Sequence, residues 1–254
     1  MRSGWRSRRL LFALVAATIV GAGLIWRARE TSLEAALLPG DADAAVLSPS
    51  LRASASARAK RLYAAHCANC HGADLKGDHR FGAPNLIDAD WLYGNGRASE
   101  IEQTLTFGIR SGNPKGRNLA SMPAFSEPEP YARYQIPPLD PQDVRDVVEY
   151  IFVLGARPAD PVAARRGDVI YHTRGGCYDC HGADGSGDEA IGAPNLKDAV
   201  WLYGDGSRAA IFETIAHGRA GACPAWIHRL SAADIRSLAI WIRARSSSQR
   251  PLTP

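Results

Sequence analysis

The sequence predicts an all-α protein, with two small helical units in tandem behind one N-terminal membrane-spanning helix. Three observations carry this. First, a heptapeptide occurs twice, as Cys67-Ala68-Asn69-Cys70-His71-Gly72-Ala73 and as Cys177-Tyr178-Asp179-Cys180-His181-Gly182-Ala183. Second, the same offset superposes Gly82-Ala83-Pro84-Asn85-Leu86 on Gly192-Ala193-Pro194-Asn195-Leu196. It also superposes Trp91-Leu92-Tyr93-Gly94 on Trp201-Leu202-Tyr203-Gly204, so one unit is duplicated. Third, Leu10 to Trp26 is apolar and uncharged, at the low end of the length that spans a bilayer.

The chain has 254 residues and a formal charge of +4. Arg2, Arg6, Arg8, Arg9, Arg27 and Arg29 face no acid before Glu30, so the basicity belongs to the N-terminus and the remainder is net acidic. Nothing in this distribution points to nucleic acid.

Taken in order, residues 1–9 form an Arg-rich cytoplasmic N-terminus and 10–26 the transmembrane anchor. The four arginines before the span favour a cytoplasmic start. A cleaved signal peptide is the competing reading, and no clean cleavage site supports it. Either way the bulk of the chain leaves the cytoplasm. Residues 27–52 read as a linker, with one short helix near Leu33–Leu38. Unit 1 covers 53–156, opening with a helix from about Ala53 to His66 that delivers the chain to Cys67. It carries an insertion, Ser111 to Leu119, and a Pro-rich run from Glu127 to Pro141. Val144, Val147, Val148 and Ile151 recur at helical spacing, behind Asp140 as N-cap and Pro141 at the first helical position. Residues 157–161 are a connector. Unit 2 covers 162–246 and ends on Ile235, Leu238, Ala239 and Ile242 behind Ser231, with 247–254 as a tail.

The Cys-x-x-Cys-His run is a c-type haem attachment signature. Two thiols reach the two vinyl groups of one porphyrin, and the adjacent histidine swings beneath the iron. Two such runs predict two covalently bound haem c groups, attached through Cys67 and Cys70 and through Cys177 and Cys180. His71 and His181 are the proximal ligands. Each unit is then a class I cytochrome c domain, in which haem supplies much of the apolar interior. His66, His79, His172, His217 and His228 have no fixed relation to an iron, and surface or packing roles suit them better.

A six-coordinate haem needs a distal ligand. Met122, in Ser121-Met122-Pro123-Ala124-Phe125, is the candidate of the first unit, because proline restricts the residue before it. In the second unit Gly221-Ala222-Cys223-Pro224-Ala225-Trp226 puts a cysteine in that place. Cys223 is the fifth cysteine, left over by the attachment motifs. Three readings stay open: a thiolate ligand, a small buried residue that leaves the iron to His217, His228 or no ligand, or a reactive thiol. Trp91, Tyr93, Trp201 and Tyr203 are expected against the porphyrins, and Asn85 and Asn195 as loop-fixing side chains.

An anchor followed by two units bearing C-x-x-C-H-G-A-D, G-A-P-N-L, W-L-Y-G and x-Pro-Ala loops resembles the dihaem subunit III of cbb3-type cytochrome c oxidases, the FixP/CcoP family. The resemblance implies transfer of electrons from a donor cytochrome c towards a haem–copper catalytic subunit, beside a monohaem cytochrome c subunit. It implies single-pass attachment to the bacterial cytoplasmic membrane, with the haem domains in the periplasm. By position, His71 and Met122 match the first axial pair and His181 the second proximal ligand. Cys223 departs from the family's methionine. The alternative is a dihaem cytochrome of another periplasmic redox system, including a thiosulfate-oxidising enzyme with a His/Cys haem. A haem-based sensor with an open second iron is a third reading.

Overall fold

The structure, a computed structural model, describes residues 3–128 and 137–246. The tail and the middle of the Pro-rich run lie outside them. The described residues form ten α-helices and no strand beyond isolated bridges.

Helix α1 spans Ser3–Leu37, and its Leu11–Leu37 stretch is long and apolar enough to cross a membrane. Phe12, Ile19, Leu24 and Trp26 are exposed along it. The helix runs past the expected end at Trp26. Arg27 to Leu37 contains neither glycine nor proline, and Pro39-Gly40 then stops it. Much of the expected linker is therefore helical. A short helix α2, Ala42–Leu47, follows. Helix α3, Pro49–His66, begins before the expected Ala53 because Ser48 caps it and Pro49 occupies its first turn.

The foot of α1 is clamped to unit 1. Leu37 is buried with Ala42, Ala45, Val46, Ala55, Ala98 and Ile240. Arg58 of α3 pairs with Glu30 of α1 and, at 2.6 Å, with Asp234. Arg236 donates to the carbonyls of Leu37 and Gly40 at 3.1 and 3.2 Å. We expect Arg58→Ala to leave both carboxylates without their shared donor and to cost about 2 kcal/mol in a thermal melt. An unchanged melt would show that the clamp contributes nothing.

The remaining helices are α4 (Ala68–His71), α5 (Ala98–Phe107), α6 (Pro141–Leu154), α7 (Pro161–His172), α8 (Tyr178–His181), α9 (Arg208–His217) and α10 (Ala232–Arg243). Helices α4 and α8 are the single turns that carry the two Cys-x-x-Cys-His motifs. The structure exchanges the C-terminal helices of the two units. Tyr63 and Ala59 of α3 are buried with Ile101 and Leu105 of α5, and with Ile235, Leu238 and Trp241 of α10, the last helix of the chain. Ile170 of α7, with Ile211 and Ile215 of α9, is buried with Val144, Val147 and Ile151 of α6. We call these core 1 and core 2. The connector explains the exchange. Only Gly155 to Asp160 separate α6 from α7, and so short a loop makes consecutive helices neighbours.

The α6–α7 crossing is close, and Gly167 of α7 sits directly on the backbone of Asp146 and Val147. Beside it, Arg166 donates to both Asp146 oxygens at 2.5 and 2.7 Å, and Gln142 adds a third hydrogen bond at 2.9 Å. These bonds, Arg166's first, hold the Asp146 carboxyl below its ordinary value. A depressed native pKa means that the unfolded chain binds more protons at low pH. The stabilisation is then complete above the ordinary carboxylate range and is lost as pH falls below it. Acid unfolding of Asp146→Asn should lack that component, and an identical acid profile would refute it.

Candidate functional site

The two motifs are built alike. Tyr63 and Tyr171, buried on α3 and α7, donate their hydroxyls to the carbonyls of Gly72 and Gly182 at 2.6 and 2.7 Å, which fixes the chain just past each histidine. The Nδ1 atoms of His71 and His181 lie 3.1 and 2.9 Å from the carbonyls of Pro84 and Pro194. A carbonyl only accepts, so each Nδ1 carries the proton and each Nε2 keeps its lone pair. Burial holds both imidazoles below their ordinary pKa, against the opposing carbonyl bond, in the neutral form that binds metal. Asn85 and Asn195 accept from the backbone of Ile87 and Lys197, both at 2.9 Å, and hold the loops that present these prolines.

The four motif cysteines are free thiols in the protein chain. Burial pushes Cys67 and Cys177 up to about 12. Among the described residues no group of three or more His, Cys, Asp or Glu side chains is arranged to hold a metal ion. Around the Cys pairs lie half-buried apolar groups: Leu86, Ile87 and Trp91 in core 1, and Leu196, Trp201 and Phe212 in core 2. The indole Nε1 of Trp91 is buried without a partner. An apolar group with polar edges, bonded to two thiols and to one imidazole Nε2, fits this donor set. Haem c is such a group.

The distal arms cross with the helices. Ile109 and Cys223 exchange two backbone hydrogen bonds of 2.9 Å, and Met122 and Arg219 exchange two more of 2.9 Å. The glycines beneath these bridges are required. Gly108 and Gly218 have φ of +76° and +69°, and a Cβ on either would lie 2.5 Å from the carbonyl oxygen of Cys223 or Met122 respectively. As a result Cys223 sits by Cys67 and Cys70, close enough for their charges to be felt, although burial is the main cause that lifts the Cys223 thiol to about 11. Trp226, three residues on, is buried in core 1. Met122 packs in core 2 with Cys177. The structure thus packs the Met122 arm against the second unit's core and the Cys223 arm beside the first motif, the reverse of what the sequence offset leads one to expect. The sequence offset aligned equivalent positions, but it carried no information on which unit an arm enters.

The other histidines have surface or packing roles: His66 lies against Trp226 and His172 against Tyr178. His66, His79, His217 and His228 are exposed, and both ring nitrogens of His172 meet the carbonyls of Asp168 and Ala183. Sequence reasoning missed two arginines. Arg117 and Arg219 lie 4.8 and 4.7 Å over the rings of Tyr93 and Tyr203. Arg219 directly follows the required Gly218, which was the available signal.

This arrangement defines a class: a c-type cytochrome with two cytochrome c domains and covalently bound haem c, behind an apolar helix of membrane-spanning length. Residues 56–154 match the cytochrome c family, and residues 162–242 match the family described as cytochrome C oxidase, cbb3-type, subunit III. The cbb3-type cytochrome c oxidase subunit FixP of Azorhizobium caulinodans is 40% identical over 202 residues, 79% of this chain and 63% of that relative. Subunit CcoP of Cereibacter sphaeroides is 36% identical over 206 residues, covering 81% and 66%. Subunit CcoP of Rhodobacter capsulatus is 34% identical over 226 residues, covering 86% and 71%. The chain belongs to the FixP/CcoP family, subunit III of cbb3-type cytochrome c oxidases. It spans slightly less than two thirds of the length of the first two of these relatives.

Proposed function

We propose that the protein is a membrane-anchored electron-transfer subunit carrying two haem c groups, one at each motif. It takes electrons from a donor cytochrome c and passes them to a haem–copper catalytic subunit, beside a monohaem cytochrome c subunit. The observation that carries this reading is the twinned histidine geometry, with Nδ1 tied to a proline carbonyl and Nε2 free in both motifs. Haem c held there would supply one-electron chemistry between ferric and ferrous iron. The chain's residues hold it: Cys67, Cys70, Cys177 and Cys180 by thioether bonds, and His71 and His181 as proximal ligands. Arg2, Arg6, Arg8 and Arg9, ahead of the apolar stretch that begins at Leu11, support an N-terminus in the cytoplasm and haem domains in the periplasm.

The distal ligands under this proposal are Cys223 for the haem at His71 and Met122 for the haem at His181. The nearness of Cys223 to Cys67 and Cys70 supports the first assignment, and the packing of Met122 with Cys177 supports the second. A thiolate stabilises ferric iron and a thioether ferrous iron, so the first haem has the lower potential.

The test is oxidation of the reduced full chain by the catalytic and monohaem subunits in detergent under oxygen. Reoxidation far faster than that of the chain alone is expected, and equal rates would contradict the proposal. Cys223 also motivates a thiosulfate assay. Turnover of thiosulfate by the purified chain would favour the sulfur-oxidising alternative.

A further inference from the structure

His172, the last residue of α7, is held by more than packing. Its Nδ1 lies 3.0 Å from the carbonyl oxygen of Asp168 and 2.9 Å from that residue's carboxylate, and its Nε2 lies 2.9 Å from the carbonyl oxygen of Ala183. All three oxygens accept. A neutral imidazole carries one N–H and would turn its other lone pair against an oxygen. The imidazolium donates from both nitrogens, so this geometry suits a bound proton.

Tyrosines surround the ring. Tyr178 of α8 stacks on it at 6.1 Å, while Tyr150 of α6 and Tyr171 of α7 meet it edge-on at 5.9 and 5.0 Å. The charged groups around this box are Asp168 on the same helix, Asp179 next to Tyr178 on α8, and Asp184. Asp184 acts on Tyr150 and Tyr171 from the loop past the motif and is paired with Lys197 at 2.6 Å. Burial lowers the affinity of His172 for its proton, but the two carbonyls and the Asp168 carboxylate raise it by more, so its pKa stands above the ordinary histidine value. The side chain keeps 34% of its surface exposed, which lets the proton exchange with solvent.

The contacts of His172 belong to the second motif. Ala183 is the second residue past His181, and Tyr178 lies between Cys177 and Cys180. In the first unit Tyr63 is the counterpart of Tyr171, and the residue after it is Ala64, which cannot titrate. We propose that His172 is a redox-linked proton site, taking one proton from solvent as the haem at His181 takes one electron and releasing it on reoxidation. This holds on the reading that the second motif carries haem. A cation beside the haem favours the ferrous form, and by linkage the ferrous form favours the imidazolium to the same extent. The potential is therefore higher at low pH and falls as the pH rises through the titration of His172.

The experiment uses the full chain in detergent, as wild type, His172→Ala and His172→Lys. Haem is counted first by pyridine haemochrome. Fewer than two haems in the wild type would defeat the two-haem reading itself, independently of His172. Potentiometric titrations followed by EPR are then run from about pH 5 to 9. In the wild type the redox equilibrium of the second haem should shift about fivefold towards ferric across this range, about 40 mV for one electron. The shift should remain when Cys67→Ser with Cys70→Ser leaves that haem alone. His172→Ala should hold the potential at the wild-type high-pH value throughout. His172→Lys should hold it near the low-pH value, because lysine keeps its charge over this range. A flat wild-type profile would overturn the proposal, as would a shift that persists in His172→Ala. If His172→Ala loses the second haem, His172→Lys decides: a flat profile supports the proton site, and a retained shift or a lost haem overturns it.

Discussion

Cys223→Met is expected to raise the potential of the haem at Cys67, Cys70 and His71 by about 200–300 mV, a fraction of the roughly 0.8 V over which axial ligands set haem potentials. The backbone of residue 223 is pinned by two hydrogen bonds to Ile109, so the substitution changes the side chain and not the arm. Under the proposed ligation an anionic thiolate would give way to a neutral thioether, which favours ferrous iron. The low-spin thiolate EPR signal of the oxidised protein should vanish, while the signal of the second haem stays. Spectra and potentials identical to wild type would refute thiolate ligation.

Gly167→Val is expected to lower the stability of core 2 by about 2–3 kcal/mol, the usual cost of forcing extra atoms into a packed contact. A Cβ at this position would lie 1.9 Å from the Asp146 carbonyl oxygen and 2.9 Å from the Val147 nitrogen. Both atoms are helix backbone, so no side-chain rotamer relieves the clash. Replacing glycine within a helix normally gains up to about 1 kcal/mol of propensity, which is smaller than the clash and of opposite sign. The melt of the full chain, followed by circular dichroism, should shift down by several degrees. The twin crossing in core 1 uses Ala59, which is fully buried. A wild-type melt for Gly167→Val would mean that α6 and α7 are not held at this contact.

Much of the protein is legible in its sequence. The Cys-x-x-Cys-His pair and the gapless repeat announce two like units, and Leu10 to Trp26 announces an apolar helix of spanning length. The i, i+3, i+4, i+7 spacing of Val144, Val147, Val148 and Ile151 shows that α6 buries a face. It does not name the partner, because the same face would suit α3 or α7. The short Gly155–Asp160 connector holds that information, and it fixes which arm reaches which motif. The extension of α1 was legible in the absence of a breaker between Arg27 and Leu37. The placing of Arg117 over Tyr93 was not, since it depends on how the insertion folds back in three dimensions.

The distal arms cross between the two units, each beside the other unit's motif. The most direct test is the variant Cys67→Ser with Cys70→Ser, which leaves haem attachment to Cys177, Cys180 and His181 alone. The crossed fold predicts that this single haem is His/Met-ligated through Met122. Its oxidised optical spectrum should then show the methionine-to-iron charge-transfer band, and its EPR spectrum no thiolate signature. A thiolate-ligated haem in that variant, indifferent to Met122→Leu, would mean that each unit keeps its own arm and would contradict the account.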